Sequence, residues 1–125
     1  IYLSQTSSID AAIHRIREAI TKKFKLATSA GYGPRYLHST GQLHKAGPNK
    51  GLFIQLVEPD SNSSNEVEIS GAGYSFRVLN NAQANGDLIA LVEQSRRVSR
   101  VFIAGTPEQT IEALSNQVLS INVPS

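Results

Sequence analysis

Ile9, Ile13, Ile16, Ile20 and Phe24 recur every three or four residues, and His14, Arg15, Arg17, Glu18 and Lys22 fill the positions between them. That spacing predicts an amphipathic helix of about four turns. Ser7 or Ser8 is its expected cap, with Asp10 three residues beyond Ser7. Ala30 to Pro34 ends the pattern, because glycine and proline punctuate helices. A shorter helix is expected from Tyr36 or Leu37 to Gly47-Pro48.

The pattern then changes period. Gly51 to Val57 is almost continuously apolar, which predicts a strand buried on both faces, as in a parallel sheet. Pro59 to Asn65 is polar and reads as a surface loop, and Glu66 to Ile69 as a short alternating strand near an edge. Gly71-Ala-Gly73 leads into a helix from Tyr74 to Ala84; Asn85-Gly86-Asp87 is expected to interrupt it, and Leu88 to Ser95 to resume it. Val98 to Ala104 is a second apolar strand. Thr106-Pro107-Glu108 starts a last helix, with threonine as cap, proline at the first position and acid in the first turn. Ile111, Leu114, Val118 and Leu119 are its expected buried face. Strands alternating with helices predict a three-layer α/β domain with a mainly parallel sheet, spanning residues 1–125 as one unit.

Composition narrows the function classes. Twelve basic and ten acidic residues leave a formal charge of +2. Arg15, Arg17, Lys22, Lys23 and Lys25 read as a solvated helix face; Arg96, Arg97 and Arg100 form a second basic group. Neither has the interleaved aromatics of a nucleic-acid platform, so no nucleic-acid partner is expected. No stretch approaches the roughly 20 apolar residues of a membrane span, and no membrane partner is expected either. Cysteine is absent, which removes disulfides and thiolate metal sites and fits a reducing cytosol, so a cytoplasmic location is expected. Methionine is absent too, so the chain reads as a piece of a longer protein, opening on what looks like the end of a strand at Ile1-Tyr2-Leu3, with a removed signal peptide as the weaker alternative.

The candidate chemistry lies between Gly31 and Gly51, where glycines, prolines, two histidines, an arginine and two hydroxyls share one loop-to-helix junction. His38 and His44 are six apart and fall on different helix faces, unlike the i, i+4 pair of a zinc helix, so no metal is expected. Gly71-x-Gly73 has Phe76 where a dinucleotide fingerprint needs glycine, so no such cofactor is expected. His14, among charges, reads as a surface residue. His38 stands near a predicted helix start beside Ser39 and Thr40, where the dipole favours a neutral imidazole able to move a proton. Gln42 follows one turn later on the same face, and Arg35 and Lys45 offer charge for a phosphate. The alternative role for His38 is structural, its ring capping the helix or meeting a loop carbonyl.

The run Gly-Tyr-Gly-Pro-Arg-Tyr-Leu-His-Ser-Thr-Gly-Gln-Leu-His-Lys-Ala-Gly-Pro-Asn from Gly31 resembles the phosphoglucose isomerase portion of bifunctional transaldolase/phosphoglucose isomerase proteins. The resemblance continues through Gly51-Leu-Phe-Ile-Gln55, Tyr74-Ser-Phe76, Ala82-Gln83-Ala84, Gly86-Asp87 and Arg96-Arg97-Val98, in order over nearly the whole chain. It implies a sugar isomerase (SIS) fold and the second of two such halves. The implied reaction interconverts glucose 6-phosphate and fructose 6-phosphate, a step of glycolysis and gluconeogenesis. In the family a histidine opens the sugar ring and a glutamate shuttles a proton through an enediol. His38-Ser39-Thr40-Gly41-Gln42 aligns with the family's His-Ser-x-Gly-Gln, which makes His38 the counterpart of the ring-opening residue.

The family implies a homodimer, a sugar 6-phosphate substrate and no cofactor. It places the glutamate and a Ser/Thr-rich phosphate loop in sequence that would precede Ile1. Two positions depart from the pattern: Ala46 stands where glycine is usual, and Asn80 where lysine often lies. A second expectation follows from them, a non-catalytic sugar-phosphate-binding or assembly module fused to transaldolase.

Overall fold

In a computed structural model, residues 1–33, 47–59, 70–71 and 75–124 are described, the side chain of Phe76 excepted. They form helices α1 (Ser7–Phe24), α2 (Phe76–Glu93) and α3 (Pro107–Ser120), and strands β1 (Leu52–Val57) and β2 (Arg97–Phe102). The two strands pair in parallel, so the chain is an α/β protein with a parallel sheet. It falls into two compact units, one of residues 1–3 and 31–102 and one of residues 4–30 and 103–125.

In the first unit the register runs from Leu52 opposite Arg97 to Val57 opposite Phe102. Alternation puts Phe53, Gln55 and Val57 on one face with Val98, Arg100 and Phe102, and Leu52, Ile54 and Leu56 on the other. The N-terminal segment extends this sheet. Tyr2 forms a parallel bridge with Val57, its N–H donating to the Leu56 carbonyl at 2.9 Å. Tyr2, Val57 and Ala84 of α2 make the buried centre. The expected burial of β1 on both faces holds only for its C-terminal half. Leu56 and Val57 are buried, whereas Leu52 and Ile54 are 68% and 45% exposed.

Helix α2 corrects the expected break. It runs unbroken through Asn85-Gly86-Asp87, with Ser75 as its cap accepting from the Val78 N–H at 3.2 Å. Ala84, Asp87 and Leu91 are buried at helical spacing, one stripe crossing the supposed interruption. A mid-helix glycine costs about 1 kcal/mol relative to alanine, less than the roughly 1.5–3 kcal/mol gained by burying a side chain such as Leu91. The expected helix over 36–47 and strand over 66–69 lie outside the described residues.

In the second unit α1 and α3 pack together and run in the same direction. Ser8 Oγ donates to Glu108 Oε1 at 2.6 Å where both helices begin, and Lys23 Nζ donates to the Leu119 carbonyl where both end. The Ser8 bond holds the Glu108 carboxyl below its ordinary range. Ile9, Ala12, Ile13 and Ile16 bury the expected face of α1. Its cap is Thr6, one or two residues before the expected serines, accepting from the Ile9 N–H at 3.2 Å. On α3, Thr106 caps as expected and Gln109 completes the box. Ile111 is buried, but Leu119 is exposed rather than part of the buried face. β2 ends two residues early because Ala104 gives both backbone groups to Thr110 Oγ1, at 3.0 and 2.8 Å.

Lys25 closes α1 in the left-handed conformation, φ 57 and ψ 34, its N–H bonded to the Thr21 carbonyl. A side chain there carries strain that glycine does not. Lys25→Gly is expected to raise stability by about 0.5–1 kcal/mol, read as a higher urea midpoint at unchanged slope.

Candidate functional site

His38, Arg35, Ser39, Thr40, Gln42 and Lys45 all lie outside the described residues, as does Ala46. What the structure describes is how the two ends of their block are held. Both ends belong to the first unit.

The entry is fixed by the N-terminal segment. The Ile1 nitrogen donates to the Gly31 carbonyl at 2.8 Å, and Gly33 N–H donates to the Ile1 carbonyl at 2.8 Å. This two-bond exchange is that of a parallel pair. Gly31 to Gly33 thus runs alongside Ile1–Leu3, which itself runs alongside β1. The block therefore departs from the carboxyl end of a parallel set, where open α/β sheets place their ligands. Gly33 is required by contact rather than by backbone angle. A Cβ there would lie 2.4 Å from Tyr2 Cε1 and 2.5 Å from Tyr2 Cζ.

The exit is fixed by the turn between α2 and β2. Arg96 Nη2 donates to the Gly47 carbonyl. Asn49 Nδ2 donates to the Ser95 carbonyl at 3.0 Å, and Arg97 Nη2 lies 3.5 Å from the Asn49 carbonyl oxygen. Lys50 N–H bonds to the Pro48 carbonyl at 2.9 Å, closing the turn into β1.

A second polar cluster sits on the α2 face of the sheet. Gln55, 5% exposed, donates from Nε2 to the Ala84 carbonyl at 2.9 Å and accepts from Arg100 Nε at 2.8 Å. Arg100 Nη1 donates to Asn85 Oδ1 at 2.6 Å, and Arg100 Nη2 is buried with no hydrogen-bond partner among the described residues. Ala84, Asn85 and Arg100, but not Gln55, line a crevice with Glu58 and Phe102 at the carboxyl ends of the strands. Its volume, about 30 Å³, leaves room for water but not for a sugar phosphate. The cluster is a packed joint between α2 and the sheet.

Among the described residues no group of three or more His, Cys, Asp or Glu could hold a metal ion. His14 is a surface residue as expected, its side chain 70% exposed and 3.6 Å from Glu18. Asn80 lies on α2 and is half-buried. No helix among the described residues is long and apolar enough to cross a membrane.

Sequence reading gave Gln55, Asn49 and Asn85 no role in a site, and gave Arg96 and Arg100 none beyond basic charge, although Asn49, Gln55 and Arg96 fall in the runs that carry the resemblance. One signal was available: Gln55 is a polar residue inside the apolar run of β1, and a polar side chain in such a place must find partners. The chain matches no protein-family model, no curated protein and no solved structure.

Proposed function

We propose that this chain is the C-terminal SIS-type part of a glucose-6-phosphate isomerase of the transaldolase-fused kind, and that it supplies His38 for opening the sugar ring. The observation that carries the reading is the ordered run from Gly31 to Asn49, with its His-Ser-Thr-Gly-Gln core and the matches that follow it in sequence. The parallel pairing of the strands agrees with that family's fold. So does the departure of the block from the carboxyl end of a parallel segment.

Within this reading, neutral His38 accepts the proton of the anomeric hydroxyl and returns one to the ring oxygen as the C–O bond breaks. Ser39, Thr40 and Gln42 bind sugar hydroxyls, and Arg35 and Lys45 face the phosphate. A first SIS half supplies the glutamate that moves the proton between carbons 1 and 2, and two subunits complete each site. Residues 1–125 alone are then expected to turn over little or no fructose 6-phosphate.

Two substrates test the role of His38 in the longer protein. Glucose 6-phosphate must open before it isomerises. Erythrose 4-phosphate cannot close a ring, because its O4 carries the phosphate. His38→Ala is expected to reduce kcat/KM for glucose 6-phosphate about a hundredfold and to leave erythrose 4-phosphate within a few-fold. Equal losses for both would remove the ring-opening role. A longer protein that binds 6-phosphogluconate calorimetrically but isomerises neither sugar would be the non-catalytic module.

A further inference from the structure

We infer that the outward face of α2 pairs with the same face of a second copy of the chain, the two helices antiparallel about a two-fold axis beside Asn85 and Gly86. The inference is independent of the function proposed above.

The face is apolar where a helix in water is ordinarily polar. Val78, Ala82, Asn85, Ile89 and Val92 are all exposed, and their spacings of four, three, four and three residues put them on one side of the helix. Val78 is 49%, Ile89 56% and Val92 58% exposed. Asn85 turns its carboxamide oxygen to Arg100. The stripe buried against the sheet is a different one, Ala84, Asp87 and Leu91. The charged residues of α2 are Arg77, Asp87 and Glu93, so no charge interrupts the exposed stripe from Val78 to Val92. A helix apolar all round is one that is covered all round.

Gly86 is a second observation. It lies in the middle of the helix, where only proline is less favourable than glycine. The packing of the chain does not require it, because a Cβ built there meets nothing within 4 Å. With exposed Ala82 one turn earlier, it gives the centre of the face low relief between Val78 and Ile89. Small side chains at a contact let two helix axes approach closely.

Symmetry selects the occupant. In a two-fold pair the same patch meets itself, so it has to be its own complement. Antiparallel helices crossing beside Asn85 and Gly86 set Ala82 of one copy opposite Ile89 of the other, twice, with the large side chain over the low relief. An uncharged stripe meets itself without like-charge repulsion. The helix ends select the direction. α2 has no acid in its first turn and no base in its last, and exposed Glu93 stands at its C-terminus, the negative end of its own dipole. Antiparallel pairing brings each Glu93 beside the positive N-terminal end of the other helix, near Val78. Parallel pairing would set the two Glu93 side chains together. A face about 27 Å long and about 10 Å wide covers less than the ~800 Å² per partner of a stable complex, so the pair is weak, with a Kd of roughly 10–500 µM expected.

Sedimentation equilibrium of residues 1–125 from about 5 to about 1,000 µM brackets that range and is expected to show monomer giving way to dimer. Ile89→Lys should weaken the dimer at least tenfold. Gly86→Leu should do the same while its urea midpoint, read at the dilute end, does not fall, because leucine favours the helix and its Cβ has open space. That combination separates a blocked surface from a damaged fold. Glu93→Lys should loosen the dimer several-fold, by less as salt is raised. The chain has no cysteine, so introduced thiols report geometry. Under mild oxidation, Ala82→Cys mixed with Ile89→Cys should give the 82–89 disulfide. Either variant by itself should cross-link poorly, its two thiols lying about 10 Å apart along the helix axis.

A chain that stays monomeric at the highest concentration would overturn the inference and leave the face to some other partner. So would a dimer that Ile89→Lys and Gly86→Leu both leave intact. Ready 82–82 cross-linking would overturn the antiparallel arrangement. Should Ile89→Lys fail to fold, Gly86→Leu and Glu93→Lys carry the same comparison.

Discussion

Replacing Gln55 with leucine is expected to destabilise the first unit by about 2–4 kcal/mol, since hydrogen bonds to charged groups contribute about 1.5–3 kcal/mol and orphaned buried donors add to the loss. Leucine has a similar volume and leaves little cavity, so the cost is polar. Gln55 Oε1 is the acceptor for Arg100 Nε, and Arg100 Nη2 already lacks a partner among the described residues. In Gln55→Leu, Asn85 would remain as that guanidinium's one side-chain acceptor among the described residues. The Ala84 carbonyl loses less, because it lies inside α2 and keeps its helical bond.

This argument has a sharp companion. If the penalty comes from a stranded cation, removing the cation should remove most of it. Gln55→Leu with Arg100→Met is expected to be more stable than Gln55→Leu alone, as apolar replacements of whole buried charged networks are often neutral. A double-mutant cycle by urea denaturation gives the coupling directly. Additive losses would show that Gln55 and Arg100 act separately.

Gly33→Ala is the second large effect. The built Cβ falls 2.4–2.9 Å from three atoms of the Tyr2 ring, well inside any allowed contact. The ring cannot retreat cheaply, because Tyr2 is 2% exposed and its backbone is bridged to β1. Over-packing of this kind costs about 1–3 kcal/mol, and a value near the upper end is expected. It should appear as a lower denaturation midpoint. Because Gly33 N–H bonds to Ile1, the shift also moves the entry of the His38 block. Under the proposed function, isomerisation by the longer protein should fall further for Gly33→Ala than for a core variant of equal stability loss. Tyr2→Leu should accommodate the new methyl, so the double variant is expected to lose less than the sum of the two.

How far the sequence could be read followed how local each interaction is. Thr106-Pro107-Glu108 was legible because a helix cap is made within three residues, and the box with Gln109 adds only one more local bond. The isoleucine stripe of α1 was legible because its period is a property of the helix itself. The unbroken α2 was not. Asn85 and Gly86 favour a turn, but Asn85 accepts from Arg100, fifteen residues away, and the stripe through Ala84, Asp87 and Leu91 keeps the helix whole. The apolar run of β1 marked a strand without marking which of its residues are covered, so Leu52 and Ile54 were expected to be buried and are exposed.

The candidate site divides in the same way. His38 and its neighbours stand out in sequence because they lie together. Arg96 and Asn49, which hold the end of that block, bond partners 49 and 46 residues away, and no local pattern marks such pairs.

The second unit is assembled from the two ends of the chain, α1 from one and α3 from the other. During synthesis Ile9, Ile13 and Ile16 leave the ribosome while Ile111 and the rest of the helix that packs on α1 are still untranslated. At 5–20 residues per second the intervening stretch takes roughly 4–16 s to make. For that interval these isoleucines lack the helix that covers them, long enough for a chaperone to hold them or for a neighbouring polysome product to stick to them.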